Sequence, residues 1–473
     1  MENTSKKPSF SISLLVVAFL FVIIVAQVLV AGSPDIHMTL VFSIAFAVLL
    51  LMMTGTEWSQ VEDGIMHGCK IATVPMLILM FIGMLIPALI AAGTIPMLIY
   101  YGLQIINPSV FLLTAAVICS ISSICTGSSW TTGGTFGVAF MGISMGLGIP
   151  PALTAGAVVS GAVIGDKLSP LSDSTNLAAG VCETNLFAHI KSMFFTTVPA
   201  FIISLVIYTI LGMRYTASTI DTTAVDAILA GISSNFNVEP MYALISLIPL
   251  AAVIFMAIKK ISALAAMVIA SIIAMLLAML TQGYNILEMM SFMNYGFVID
   301  TGIANVDKLL NRGGIQSMMW TVSLGYLGLS YGGILEKTGT LESLLDKMAG
   351  LTKSARNLIT THILSSIVIN FISASQYVAI IIPGRMYLPA YKKLGIRGDV
   401  ASRTCEDSGT VTSPLVPWGL CGVFFAGALG VGTLEYLPYA FLCYLTPVVA
   451  IIYAFTGKFI WKEDENSVKN VSK

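Results

Sequence analysis

Two polar blocks interrupt a chain that is otherwise almost wholly apolar. Each sets carboxylates beside small hydroxyls and contains a proline. The first is Gly165-Asp166-Lys167-Leu168-Ser169-Pro170-Leu171-Ser172-Asp173-Ser174-Thr175-Asn176, and the second is Cys405-Glu406-Asp407-Ser408-Gly409-Thr410-Val411-Thr412-Ser413-Pro414. Carboxylate, hydroxyl and carbonyl oxygens are the donor set of a small hard cation. The prolines remove a backbone donor and disfavour helix at the preceding residue, so a helix entering either block should break and expose carbonyls at its C-terminal end. The candidate ligands are Asp166, Asp173, Ser169, Thr175 and Asn176 in the first block and Glu406, Asp407, Ser408, Thr410, Thr412 and Ser413 in the second. A carboxylate deep in a membrane is costly and usually functional, and Asp166 is the first candidate. Glu406 and Asp407 are adjacent and cannot point the same way on a helix. One should face the site, the other the interior or a basic partner such as Arg403.

Plainer readings compete. Asp166 and Lys167 could form a loop pair at the membrane surface, with Asp173 or Thr175 capping a helix that begins near Asn176. The second block could be a solvated loop following Arg397-Gly398-Asp399. Two serine-rich strings, Thr126-Gly127-Ser128-Ser129-Trp130 and Ser373-Ala374-Ser375-Gln376-Tyr377, have the composition of re-entrant hairpin tips, with Ser128, Ser129, Ser373 and Ser375 supplying hydroxyls. Small residues there could equally serve close helix packing, which is the preferred reading for Gly133, Gly134, Gly137, Gly142, Gly146 and Gly148. Each tip precedes its Ser-Pro-Leu break by roughly the same distance, as two structural repeats would require. The first repeat is placed at about 71–213 and the second at about 315–461, within a single membrane domain.

The elements that must hold these blocks follow from composition. Of 473 residues 56% are hydrophobic and only 10% charged, and no Asp, Glu, Lys, Arg or His occurs from Ile71 to Gly165. That stretch is several times the roughly 20 residues that one helix needs to cross a bilayer. The fold expected is an all-α polytopic membrane protein of about a dozen transmembrane helices, some incomplete, in two inverted repeats with re-entrant hairpins and broken helices. Apolar spans fall near 10–31, 38–54, 73–91, 94–106, 109–125, 150–165, 192–212, 241–258, 261–281, 315–335, 357–382, 414–433 and 436–457. The run from Phe10 to Gly32 is too long for a signal-peptide core and reads as the first span. Lys6 and Lys7, Lys259 and Lys260, and the basic tail after Lys458 share the cytoplasmic side by the positive-inside rule. The 213–240 loop, with Arg214, Asp221, Asp226 and Glu239, fits the opposite face.

A net charge of -1 leaves no basic surplus for nucleic acid. The seven cysteines show no paired metal-ligand spacing. His37, His67, His189 and His362 are scattered at apparent segment ends and read as interfacial. A membrane-embedded zinc hydrolase would need an HExxH motif and a primary pump a GxxxxGK[ST] loop, and neither occurs. The GxSxG string Gly142-Ile143-Ser144-Met145-Gly146 lies in the stretch free of His, Asp and Glu, with no base beside it in the sequence. A channel remains as a third class.

The strings Ser128-Ser129-Trp130-Thr131-Thr132-Gly133-Gly134-Thr135, Gly165 to Ala178, and Glu406 to Trp418 resemble the NhaC family of sodium/proton antiporters over nearly the whole chain. The resemblance implies exchange of cytoplasmic sodium for external protons in the cell membrane, two inverted repeats, no cofactor, and a sodium site at Asp166 and Asp407. Similar proteins exchange malate plus protons for lactate plus sodium, which is the alternative substrate reading. Homodimerisation is left open. Pro417-Trp418-Gly419-Leu420-Cys421 departs from the Pro-Trp-Asn form associated with the antiporters.

Overall fold

The structure is a computed structural model that describes residues 7–31, 35–215, 222–259, 261–349 and 353–463. Lys6, Asp221, Lys260 and the tail beyond Glu463, on which part of the orientation argument rests, lie outside the described residues. The described chain is helical throughout, with one isolated antiparallel bridge between Ile396 and Lys462. Seven of its helices are long and apolar enough to cross a membrane, and two further bent pairs, Gly398–Leu415 with Leu420–Leu429 and Thr433–Tyr439 with Phe441–Thr456, turn by 45° and 54°. The chain is thus an all-α multi-pass membrane protein.

Several expected spans take a different form. The segment placed at 73–91 belongs to a 34-residue helix, Trp58–Ala91, because the charged residues Glu62, Asp63, His67 and Lys70 continue its helical pattern into a more polar region. The span drawn at 357–382 is two helices, Ala355–Ser373 and Gln376–Lys393, packed on one another across a two-residue break. The stretch 414–433 holds only a short helical turn, Ser413–Leu415, and the ten-residue helix Leu420–Leu429.

The two serine-rich strings break the chain in the same way. In the first, the helix Phe111–Thr126 ends on Gly127 at φ 71°, Ser128 is extended at φ -146° and ψ 118°, and helix resumes at Ser129. In the second, Ala355–Ser373 ends on Ala374 at φ 58°, Ser375 is extended at φ -130° and ψ 120°, and helix resumes at Gln376. A left-handed alanine costs about 1–2 kcal/mol relative to its ordinary conformation. Here its carbonyl is held by the Leu420 N–H at 2.8 Å.

Close approach of helices explains most of the small residues. Phe111–Thr126 lies along Pro151–Leu168, where a Cβ on Gly161 would sit 2.3 Å from the Ala116 carbonyl oxygen and one on Gly165 would overlap Ser123. Gly133, Gly134, Gly137, Gly142 and Gly146 face Phe425, Ile82, Leu429, Ile99 and Leu103, so they do serve packing. Gly148 does not. It turns the chain at φ 66° in open space.

Gly161→Val should therefore lower stability by about 1–3 kcal/mol, the usual penalty for overpacking. Thermal unfolding of the purified protein in detergent reads this as a lowered midpoint, and an unchanged midpoint would contradict the helix contact.

Candidate functional site

The site grows from the two breaks. Pro151–Leu168 carries Asp166 in its last turn and stops before Pro170; a new helix, Asp173–Val181, starts after Ser172. The first tip reaches the end of this helix. The Ser129 amide donates to Asp166 Oδ1 at 2.8 Å and the Ser129 hydroxyl to Oδ2 at 2.5 Å. Ser128 sits beside it and caps the same turn by accepting from the Thr131 amide at 3.2 Å.

The helix-end carbonyls expected to be bare are not. Asp166 O accepts from Ser174 Oγ at 2.9 Å and Thr175 Oγ1 at 2.5 Å, and Thr175 also reaches Lys167 O at 3.2 Å. The chain turns back after Pro170, so hydroxyls of the second helix cap the first. Asn176 likewise uses its amide on Pro170 O and Ser172 O, at 3.0 and 2.6 Å. Ser169 is buried and accepts from the Leu171 amide at 3.3 Å. Asp173 is not the helix cap; it is exposed in the first turn, where it accepts from Tyr377 Oη at 2.6 Å and from the Ser174 amide at 2.9 Å.

The second block is buried throughout, which excludes the solvated loop. Glu406–Thr410 form one π-helical turn, a widening often found where backbone geometry serves a site. Ser408 donates to Thr404 O and Thr412 to Ser408 O, each at 2.6 Å; Asn370 donates to Thr412 Oγ1 at 3.0 Å and to Gly409 O. Ser413 is buried in the turn that follows. At the second tip the Ser375 amide donates to Ser373 Oγ at 3.3 Å, while Ser375 Oγ is unpartnered. Thr410 Oγ1 lies toward the Glu406 carboxylate, but neither makes a well-aligned hydrogen bond.

The blocks meet through charge. Lys167 is fully buried and donates to Asp407 Oδ1, as does Thr196 at 2.8 Å; Arg403 Nε lies 3.9 Å from Asp407 Oδ2. Lys167 is therefore not a surface partner of Asp166, and Asp407 is not a free ligand. A lysine in an apolar chain needs a counter-charge within the protein, and that signal was present in the sequence. Thr196 was missed, although His189, Ser192, Thr196 and Thr197 form a polar stripe at helical spacing along Leu186–Gly212. His189 and His362 are fully buried rather than interfacial, whereas His37 and His67 are half-buried.

Among the described residues the buried carboxylates are Asp166, Asp399, Glu406 and Asp407, and the buried basic side chains are Lys167 and Arg403. Asp399 is paired with Arg397. Three carboxylates then face two cations, leaving one negative charge uncompensated when all are ionised. Asp166 lines a cavity of about 620 Å³ together with Thr126, Ser129, Trp130, Asp173, Gln376 and Tyr377, while Glu406 and Asp407 do not.

Broken apolar helices, paired tips and a buried charge cluster between the halves define a multi-pass membrane transporter. The sequence model of the Na+/H+ antiporter family matches residues 3–175 and 161–458. The chain belongs to that family, and so to the multi-pass antiporters of the cell membrane. It is 36% identical to the Na(+)/H(+) antiporter NhaC of Alkalihalophilus pseudofirmus, covering 97% of this chain and 98% of that one. It is also 36% identical to the Malate-2H(+)/Na(+)-lactate antiporter of Bacillus subtilis, over 96% and 97% of the two chains. The arginine/ornithine antiporter ArcD of Halobacterium salinarum is 37% identical over 98% of this chain and 96% of its own.

Removing one partner of a buried ion pair leaves the other charge stranded, at a cost of about 3–5 kcal/mol, whereas replacing both with apolar groups is often neutral. Lys167→Met and Asp407→Leu should each destabilise the protein strongly, and the double variant should regain most of the loss. Unfolding midpoints of the three variants test this. Single variants as stable as the parent would show that the pair carries no such weight.

Proposed function

We propose that the protein exchanges sodium for protons across the cell membrane, with Asp166 as the carboxylate that takes one or the other. The observation that carries this reading is a buried carboxylate with no cationic partner, Asp166, lining a cavity that the other unpaired buried carboxylate, Glu406, does not reach. A charged and empty carboxylate is costly in a low-dielectric site, so the residue changes sides neutralised, by sodium or by a proton. That requirement couples the two fluxes without another device. The hydroxyl of Ser129, which reaches the same carboxylate from the cavity wall, tunes affinity, since water replaces a lost neutral ligand more readily than a lost charge. Asp407 acts through Lys167, holding the ammonium away from Asp166. The halves at about 71–213 and 315–461 act as two repeats that move about this site.

The cavity volume supports a second reading, sodium-coupled exchange of small organic acids, in which malate plus protons are exchanged for lactate plus sodium. Its charge weighs against it. Asp166 and Asp173 line the cavity, no basic residue does so among the described residues, and a dicarboxylate would meet like charge. In both readings the protein is a carrier and performs no covalent chemistry.

Proteoliposomes containing the full chain should show sodium-driven proton movement with no organic acid present, and Asp166→Asn should abolish it while leaving the protein folded. Protons compete for the same oxygens, so apparent sodium affinity should fall as pH is lowered, by up to about tenfold per pH unit once the proton dominates. Full exchange in Asp166→Asn, or an absolute need for malate or lactate, would overturn the assignment.

A further inference from the structure

Cys182 follows the helix Asp173–Val181 of the first block, and Cys405 ends the helix Gly398–Cys405 that leads into the second. Their sulfurs lie 3.7 Å apart, and both residues are buried. His362 Nε2 is 3.5 Å from Cys405 Sγ, and its Nδ1 is 3.2 Å from the Tyr391 hydroxyl. No group of three or more His, Cys, Asp or Glu among the described residues is arranged to hold a metal ion, so the chemistry here is that of two thiols and an imidazole.

The direction of every hydrogen bond in this cluster follows from its far end. Thr404 Oγ1 donates to the Val400 carbonyl at 2.8 Å, and a carbonyl only accepts. The Thr404 hydroxyl has then spent its proton, so Tyr391 must donate to it across 3.3 Å. Tyr391 in turn has no proton left, and His362 Nδ1–H must donate to the phenol oxygen. In the neutral ring Nε2 is then the acceptor, and its neighbour is the Cys405 S–H. The remaining thiol proton, that of Cys182, points at the Cys405 sulfur. Cys405 is thereby the sulfur with a proton acceptor in place, and Cys182 is the thiol poised against it.

We propose that Cys182 and Cys405 are a peroxide-sensitive thiol pair whose disulfide ties the two polar blocks together and arrests exchange. The arrest rests on the reading of the protein as a carrier whose halves move; the linkage does not. Hydrogen peroxide is small and neutral enough to enter an apolar interior. The Cys405 sulfur attacks one peroxide oxygen, the O–O bond breaks, the thiol proton passes by way of His362 to the departing hydroxide, and water leaves. The Cys182 sulfur then attacks the Cys405 sulfenic acid. The S–S bond forms, the S–O bond breaks, and the released hydroxide takes the Cys182 proton to give a second water. Two thiols and one peroxide thus give one disulfide and two waters. A thiol reductant reverses the oxidation.

The test treats the full chain in proteoliposomes with hydrogen peroxide and then dithiothreitol, following both peptide masses and sodium-driven proton movement. The expected result is a linked Cys182 and Cys405 peptide pair lighter by two hydrogens, loss of exchange, recovery on reduction, and resistance of Cys182→Ser to the treatment. Peroxide that oxidises the exposed Cys125 yet leaves the pair reduced would overturn the linkage. A linked pair with undiminished exchange would overturn the arrest. The masses decide the linkage independently of transport, so absence of proton movement in the untreated protein would count against the exchange reading alone.

Discussion

The ammonium of Lys167 has no access to water, and its counter-charge, Asp407, comes from the other half of the chain. Much of the site depends on that constraint. To bring the two together, the helix carrying Asp166 and Lys167 must end where the π-helical turn Glu406–Thr410 begins to widen, and Leu186–Gly212 must lie close enough for Thr196 to share Asp407. A buried ion pair adds little net stability over an apolar substitute, yet breaking it is costly. Its consequence is positional. With Lys167 held by Asp407, the adjacent Asp166 is left facing the cavity with only neutral donors from Ser129.

The same economy governs the backbone. Helix ends inside a membrane cannot leave carbonyls to water, and the hydroxyls of Ser174 and Thr175 close the end of Pro151–Leu168 while Asn370 closes Gly409. The cross-links Tyr377 to Asp173 and Lys167 to Asp407 then join tip to block and block to block across opposite halves of the chain. Polar side chains in this region therefore have two tasks, satisfying broken helices and facing the cargo, and most of the hydroxyls do the first.

That division explains what could be read from the sequence. The Pro170 and Pro414 breaks, the Ser128 and Ser375 tips and the burial of Asp166 follow from local chemistry: proline, glycine and serine in an apolar chain leave few conformations. The span drawn at 357–382 ran across the second tip, whose composition already pointed to a turn; less legible was that an alanine, Ala374, takes the left-handed position there. The pairing of Lys167 was hidden because its partner lies 240 residues away. Composition shows that an intramembrane lysine needs an anion; only the fold shows which.

If sodium and proton compete for one carboxylate, Asp166, binding of one must displace the other. The most direct measurement is proton release on sodium binding, recorded in weakly buffered solution with the purified protein in detergent. Sodium added at a pH where the site is protonated should release protons in proportion to the sodium bound, and Asp166→Asn should release none. Sodium binding to the parent protein with no proton release would contradict that competition.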